Sequence, residues 1–157
     1  MIGKEDIPKL KSLDEITKLA NQLRTSGKIV TTNGCFDILH PGHVWNLRTA
    51  RSYGDILIVG LNSDASVKRN KDKSRPILNQ YERAYILAAL DCVSFVTIFE
   101  EDNPRELLKI IKPHFHVKSK TGFKGIEEEV VLAGGGQVVL LDEIQGYSTT
   151  RILERMK

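Results

Sequence analysis

No stretch of this sequence approaches the ~20 consecutive apolar residues needed to span a bilayer. Its N-terminus is polar through Lys4, Glu5, Asp6, Lys9 and Lys11, so no secretory leader is expected. Cysteine is nearly absent: Cys35 and Cys92 are too few for a disulfide framework and suit a reducing compartment. Charge of one sign is scarce as well. A formal net charge of +3 is too small to point to nucleic acid, though it suits an anionic ligand. Aromatics make up only 6% of the residues, and none interleaves the basic run from Lys68 to Arg75, which counts against a nucleic-acid-binding module there. Without a Gly-x-Gly-x-x-Gly or a Walker lysine, dinucleotide and kinase-like P-loop readings lack their fingerprints. Internal repeats, interior linkers and low-complexity segments are missing too. What remains is a cytoplasmic globular chain that partners neither membrane nor nucleic acid.

The 157 residues fit one domain, and 41% apolar content is enough to fill a core. Residues 1–27 read as a polar lead-in and a helix. In that helix Ser12 and Glu15 form a capping box, Leu13, Ile16, Leu19 or Ala20 and Leu23 recur at helical spacing, and Gly27 supplies the stop. From residue 28 on, strands and helices alternate. Strands are expected at Ile29 to Thr32, Ile56 to Leu61, Val93 to Phe99, Phe115 to Val117 and Val138 to Leu141. Helices are expected from Pro41 to Gly54, from Asn79 with Glu82 three residues on, from Asn103-Pro104 to Pro113, from Ile126 to Ala133, and from Arg151 to Met156 with Ser148-Thr-Thr150 as its cap. Gly134-Gly-Gly136 reads as a helix stop at the wrong end of the sheet for a phosphate loop. This alternation specifies a doubly wound, Rossmann-like α/β domain with a mostly parallel five-stranded sheet and helices on both faces. Ligands of such sheets bind beyond the carboxyl ends of the strands, where the turns after Thr32, Leu61, Val117 and Leu141 lie.

The segment Asn33-Gly-Cys-Phe-Asp-Ile-Leu-His-Pro-Gly-His43 carries the chemistry. A strand ends, a glycine lets the backbone approach a ligand, and Pro41 opens a helix. His40 and His43 are three apart and can share one face of its N-terminus. Free amides and the positive helix end favour an anion there, and two imidazoles beside them suit the oxygens of a phosphorus centre that gains charge. The residues alone leave two other readings open: a capping and a surface histidine, or two ligands of a zinc site whose third ligand is not in evidence at the usual spacing. Asp64 can be a turn residue, Lys68 to Arg75 a solvated loop, Arg83 a surface helix residue and Ser148-Thr-Thr150 an ordinary cap.

Gly34-Cys-Phe-Asp-Ile-Leu-His40-Pro-Gly-His43 resembles the signature of the cytidylyltransferase-like nucleotidyltransferases, Gly-x-Phe-Asp, two residues, His-x-Gly-His. Within that family the likeness is to the heptose 1-phosphate adenylyltransferases. It rests on Thr32-Asn33-Gly34-Cys35, Asn62-Ser-Asp64-Ala-Ser66, Ser74-Arg-Pro76, Phe99-Glu-Glu-Asp102 and Gly146-Tyr-Ser-Thr-Thr150. The resemblance implies transfer of AMP from ATP to a sugar 1-phosphate, with Mg²⁺ accompanying the triphosphate. Asn33, Gly34, Cys35, Phe36, Asn62, Asp64, Arg83, Ser148, Thr149 and Thr150 would hold the nucleotide, and His40, His43 and Lys71 would stabilise charge. Asp37 and Lys118 would face the acceptor. No protein-held metal is implied, and a homodimer is compatible. Among the loop lysines Lys71 fits the family pattern, with Lys68 and Lys73 open. One departure touches the acceptor: where relatives carry Lys-Gly-Gly-Asp, this chain has Lys118-Ser119-Lys120-Thr121-Gly122-Phe123, keeping the lysine and losing the acid. A glycerol-3-phosphate cytidylyltransferase is the nearest alternative. Those relatives place an arginine where this chain has Glu143, which counts against it. A nucleotide-binding module without turnover is the alternative of another class, and the intact His40 and His43 oppose it.

Overall fold

The computed structural model describes residues 1–157. After a 3-10 turn at Lys4–Asp6 come α1 (Leu13–Leu23), β1 (Ile29–Gly34), α2 (Pro41–Arg51), β2 (Ile56–Asn62), α3 (Asp64–Asn70) and α4 (Gln80–Ala88). Then follow β3 (Phe95–Phe99), α5 (Arg105–Ile111), β4 (Phe115–Ser119), α6 (Glu128–Ala133), β5 (Gln137–Leu141) and α7 (Thr149–Arg155). The helix ends follow local chemistry. Ser12 and Glu15 exchange capping bonds at α1, and Asn79 and Glu82 do so at α4. α1 stops at Arg24, three residues before the expected Gly27.

The sheet is parallel throughout, in the order β3-β2-β1-β4-β5. Its core fills both faces. Leu47 and Ala50 of α2 and Ala84 and Leu87 of α4 pack on one side with Val30, Leu57 and Val59. On the other, Ile16 and Ala20 of α1 and Leu107 and Ile111 of α5 cover Ile29 and Ile58. Strands covered on both sides need apolar residues at nearly every position, which is why Ile56 to Leu61 is an unbroken run. Gly136 turns the chain tightly into β5, where a Cβ would stand 2.1 Å from the Pro113 carbonyl oxygen. From β1 the chain winds through β2 to β3, and from β4 it winds the other way to β5. The connections therefore diverge between β1 and β4, and a crevice opens there beyond the strand ends.

One element departs from the expectation of a loop. Lys68 and Arg69 belong to α3, capped by the Ser63 hydroxyl, which accepts from Ser66 N at 3.1 Å. Ser63 followed by Asp64 in the first turn is a cap signal that the basic run obscures.

His116 of β4 is buried, its Nδ1 2.8 Å from the Thr31 hydroxyl, and burial pushes its pKa down to about 3. In the unfolded chain an imidazole titrates near 6.5, so between these values the unfolded state binds the extra proton. The stability contribution is complete above pH 6.5 and is lost as pH falls, by about 1.4 kcal/mol per pH unit. His116→Gln keeps a hydrogen-bonding side chain that does not titrate. Urea unfolding at pH 7 and pH 5 should show a loss smaller in this variant by roughly 2 kcal/mol. Parallel losses in the two proteins would refute the assignment.

Candidate active site

The turn after β1 is the centre of the site. Phe36 sits at φ +47°, a left-handed conformation costly for a non-glycine residue, and such strain is concentrated where the chain must present specific groups. Asp37 follows, its side chain almost fully buried, accepting from the amides of Ile77 (2.8 Å) and Leu78 (3.0 Å) and from Arg75 Nε. Burial pushes its pKa up, but the Leu78 and Ile77 amides and the Arg75 guanidinium outweigh that and hold it below the usual carboxylate range. With its lone pairs so engaged, Asp37 pins the 75–78 segment to the β1 turn. Asp37 also lines the cleft beyond the strand ends.

His40 caps α2, its Nδ1 accepting from His43 N at 3.4 Å. The two rings stack, centroids 3.7 Å apart and 21° between planes, and the Phe36 ring meets His43 edge-on at 5.2 Å. Gly42 admits this arrangement, since a Cβ there would come within 3.1 Å of the His40 ring. Burial, then the neighbouring His40, pushes the His43 pKa down to about 4, and burial lowers that of His40 as well. Both rings are therefore neutral at pH 7. The buried Nδ1 of His43 has no protein partner. Stacked rings do not aim two nitrogens at one ion, and nowhere do three or more His, Cys, Asp or Glu side chains gather at metal-ligand distance.

A cleft of about 640 Å³ lies over the β1–β4 crevice, and a smaller cavity of about 150 Å³ extends inward from it. The cleft gathers Asn33, Gly34, Cys35, Phe36, Asp37, His43, Asn62, Lys71, Lys118, Thr149 and Thr150. His40 and Ser148 face an adjoining side pocket that also takes in His43 and Thr149. Of Lys68, Lys71 and Lys73 only Lys71 borders the cleft, at the end of α3. Lys118 is half-buried and donates to the Asn33 carbonyl at 3.0 Å, and its partial burial lowers its pKa. Asn62 is tied to the Ser66 hydroxyl at 3.0 Å. Burial raises the Cys35 thiol, with Lys71 the first of the charges opposing it, so Cys35 is no nucleophile at neutral pH.

Arg83 and Asp64 lie elsewhere than expected. Arg83 is 1% exposed and donates to the carbonyls of Leu78, Cys35 and Asn62 and to Asp64 Oδ1 at 2.7 Å. Neither borders the cleft. Arg83 reaches the site through the backbone of Cys35 and Asn62, holding the ends of β1 and β2 in place. Sequence reasoning also missed Arg75 and Glu127, both of which line the cleft. Arg75 lay inside a run read as solvent-facing, and Glu127 inside Glu127-Glu-Glu129, which looks like an exposed helix start.

The placement of Lys71 leads to a test. Lys71→Ala should lower kcat/KM by at least tenfold, and Lys68→Ala and Lys73→Ala by less than about threefold. All three should unfold within roughly 0.5 kcal/mol of the parent, as exposed charges add little stability. Equal losses at the three positions would mean a diffuse positive surface in place of one phosphate ligand.

Comparison with known proteins matches this picture. The family model described as cytidylyltransferase-like matches residues 31–155. The chain is 49% identical over 152 residues to the bifunctional protein HldE of Geotalea uraniireducens, covering 95% of this chain and 31% of that protein. It is 53% identical over 150 residues to the bifunctional protein HldE of Nitratiruptor sp., covering 94% of this chain and 32% of the other. The chain thus spans about a third of the length of these relatives. Two solved structures share the fold. The lipopolysaccharide core biosynthesis protein of Thermoplasma volcanium has a TM-score of 0.67 at 23% identity, over 76% of this chain and 99% of that one. The pantoate-beta-alanine ligase of Francisella tularensis has 0.60 at 15%, over 92% and 75%. No helix is long and apolar enough to cross a membrane. With the histidine signature seated at the sheet's switch point and the match running over residues 31–155, the chain belongs to the cytidylyltransferase-like family of nucleotidyltransferases.

Proposed function

We propose that this domain transfers AMP from ATP to the phosphate of a sugar 1-phosphate, heptose 1-phosphate in the first instance, and releases pyrophosphate. The observation that carries the reading is His43 at the start of α2, neutral and stacked on His40, lining one cleft with Lys71, Lys118, Thr149 and Thr150. A sugar 1-phosphate is mostly dianionic at neutral pH, its second pKa being about 6, so its oxygen attacks without a general base. The protein's task is to align that oxygen with the α-phosphorus and to screen the charge that builds on the phosphate oxygens. Lys71 and Lys118 neutralise the anions, and His43 donates to the α-phosphate oxygens. Mg²⁺ bound to the β- and γ-phosphates would assist departure of pyrophosphate. A triphosphate-borne Mg²⁺ needs no cage of protein ligands, only one or two carboxylates at most, and Asp72, Asp102 and Glu143 border the cleft.

The experiment is to incubate the protein with each of the four nucleoside triphosphates, Mg²⁺ and a panel of phosphorylated acceptors, and to measure pyrophosphate. Release from ATP should require heptose 1-phosphate. Orthophosphate release with γ-phosphoryl transfer would sink the reading, and pyrophosphate from CTP with glycerol 3-phosphate would replace it by the cytidylyltransferase alternative.

A further inference from the structure

Glu127 is only 3% exposed, yet its carboxylate borders the central cleft and its Oε2 has no hydrogen-bond partner. It does not cap α6, which it precedes, and it enters none of the protein's ion pairs. The adjacent cation, Arg105, is spent on the Ile126 carbonyl (2.7 Å) and Glu129 (3.3 Å). An unpaired carboxylate out of water is among the costliest groups a fold can carry. Lys118 lies within electrostatic reach of it but makes no hydrogen bond or ion pair with it. The missing hydrogen bonds can be supplied by a ligand in the cleft.

An ionised carboxylate only accepts, so that ligand presents hydrogen-bond donors. A second phosphate is ruled out by like charge. An ammonium group is disfavoured too, because Lys118 already lies within electrostatic reach of Glu127, and Lys71 and Lys124 add to the positive charge around Lys118. Uncharged donors remain, and hydroxyl groups are the ones a sugar phosphate carries. Position agrees with this. Glu127 stands at the start of α6, which packs with α5 beside the sheet, whereas His40 and His43 stand on α2, on the opposite face. Between Lys118 and Glu127 the loop after β4 contains no other carboxylate.

We propose that Glu127 binds the hydroxyl groups of the acceptor and so selects a polyhydroxylated phosphate over a smaller one, while the lysines and histidines take the phosphates. This deepens the reading above and rests on it for the identity of the acceptor.

The test is Glu127→Gln, which keeps shape and removes the charge. Initial rates with heptose 1-phosphate should show the acceptor KM raised roughly 10- to 100-fold, the loss expected for hydrogen bonds to a charged group, with the ATP KM within about twofold. Removing one acceptor hydroxyl should weaken the wild type but not the variant when monodeoxy analogues are compared. The ligand-free variant should melt at the same temperature as the wild type or higher, since an unpaired buried charge has gone. An unchanged acceptor KM, equal rises for ATP and acceptor, a higher Mg²⁺ requirement alone, or a lowered melting temperature would each overturn the proposal. If heptose 1-phosphate is not turned over, the functional reading fails by itself, and the comparison is made with whichever phosphorylated acceptor does release pyrophosphate. Turnover of glycerol 3-phosphate with an unaltered KM in the variant would then overturn the assignment of Glu127.

Discussion

Replacing His43 by alanine is expected to slow turnover by roughly 10²- to 10³-fold, the usual loss on removing one donor to a developing oxyanion, while nucleotide affinity changes little. The ring is neutral near pH 7, since burial and His40 hold its pKa near 4. A neutral imidazole still offers one N–H, so stabilising the α-phosphate oxygens requires no protonation. It follows that kcat should stay flat between about pH 6.5 and 9. A base catalyst with an ordinary histidine pKa would instead add an acid-side loss to that of the acceptor phosphate, whose own pKa is about 6, and the His43→Asn protein would lack the added loss. His43→Asn supplies an N–H with no basic nitrogen and should recover part of the loss. Single-turnover rates for the parent, Ala and Asn proteins decide the matter. An Asn protein as slow as the Ala protein, or one stoichiometric, tightly held zinc in the parent, would overturn the donor role.

Local signals made much of the architecture legible. Ser12 with Glu15, Asn79 with Glu82, Pro41 at a helix start and Ser148 before Thr149 each fix an element by chemistry within four residues, and the alternating apolar runs give the parallel sheet. Groups whose partners come from distant segments were not legible. Arg83 looks like any helix arginine until residues 35, 62, 64 and 78 converge on it, and the hold of Asp37 on the amides of Ile77 and Leu78 has no local signal. Glu127 sits in an acidic triplet whose other members are exposed, and only packing separates it from them. The histidine motif was legible for a different reason. Its function depends on residues close in sequence, a strand end, a glycine and a helix start, and so the spacing itself carries the geometry.

Arg83 provides the largest expected effect on stability. Its side chain is wholly buried and makes four hydrogen bonds, to Leu78 O (3.0 Å), Cys35 O (2.6 Å), Asn62 O (2.9 Å) and Asp64 Oδ1 (2.7 Å). Arg83→Leu fills similar volume but strands three carbonyls and a partly buried carboxylate. Losing one partner of such a network costs about 3–5 kcal/mol, a large share of the 5–15 kcal/mol that holds a typical domain together. At about 2–4 °C per kcal/mol, the melting temperature should fall by roughly 10 °C. Arg83→Lys retains the charge beside Asp64 but cannot fork to three carbonyls, so it should lie between the two. Because those carbonyls belong to the ends of β1 and β2, the lysine protein should also lose kcat, with ATP and acceptor KM rising together as the cleft loosens. A nucleotide contact would leave another signature: Arg83→Lys melting like the parent, with the ATP KM alone increased. Calorimetry and initial-rate kinetics on these two proteins separate a scaffold arginine from a substrate ligand.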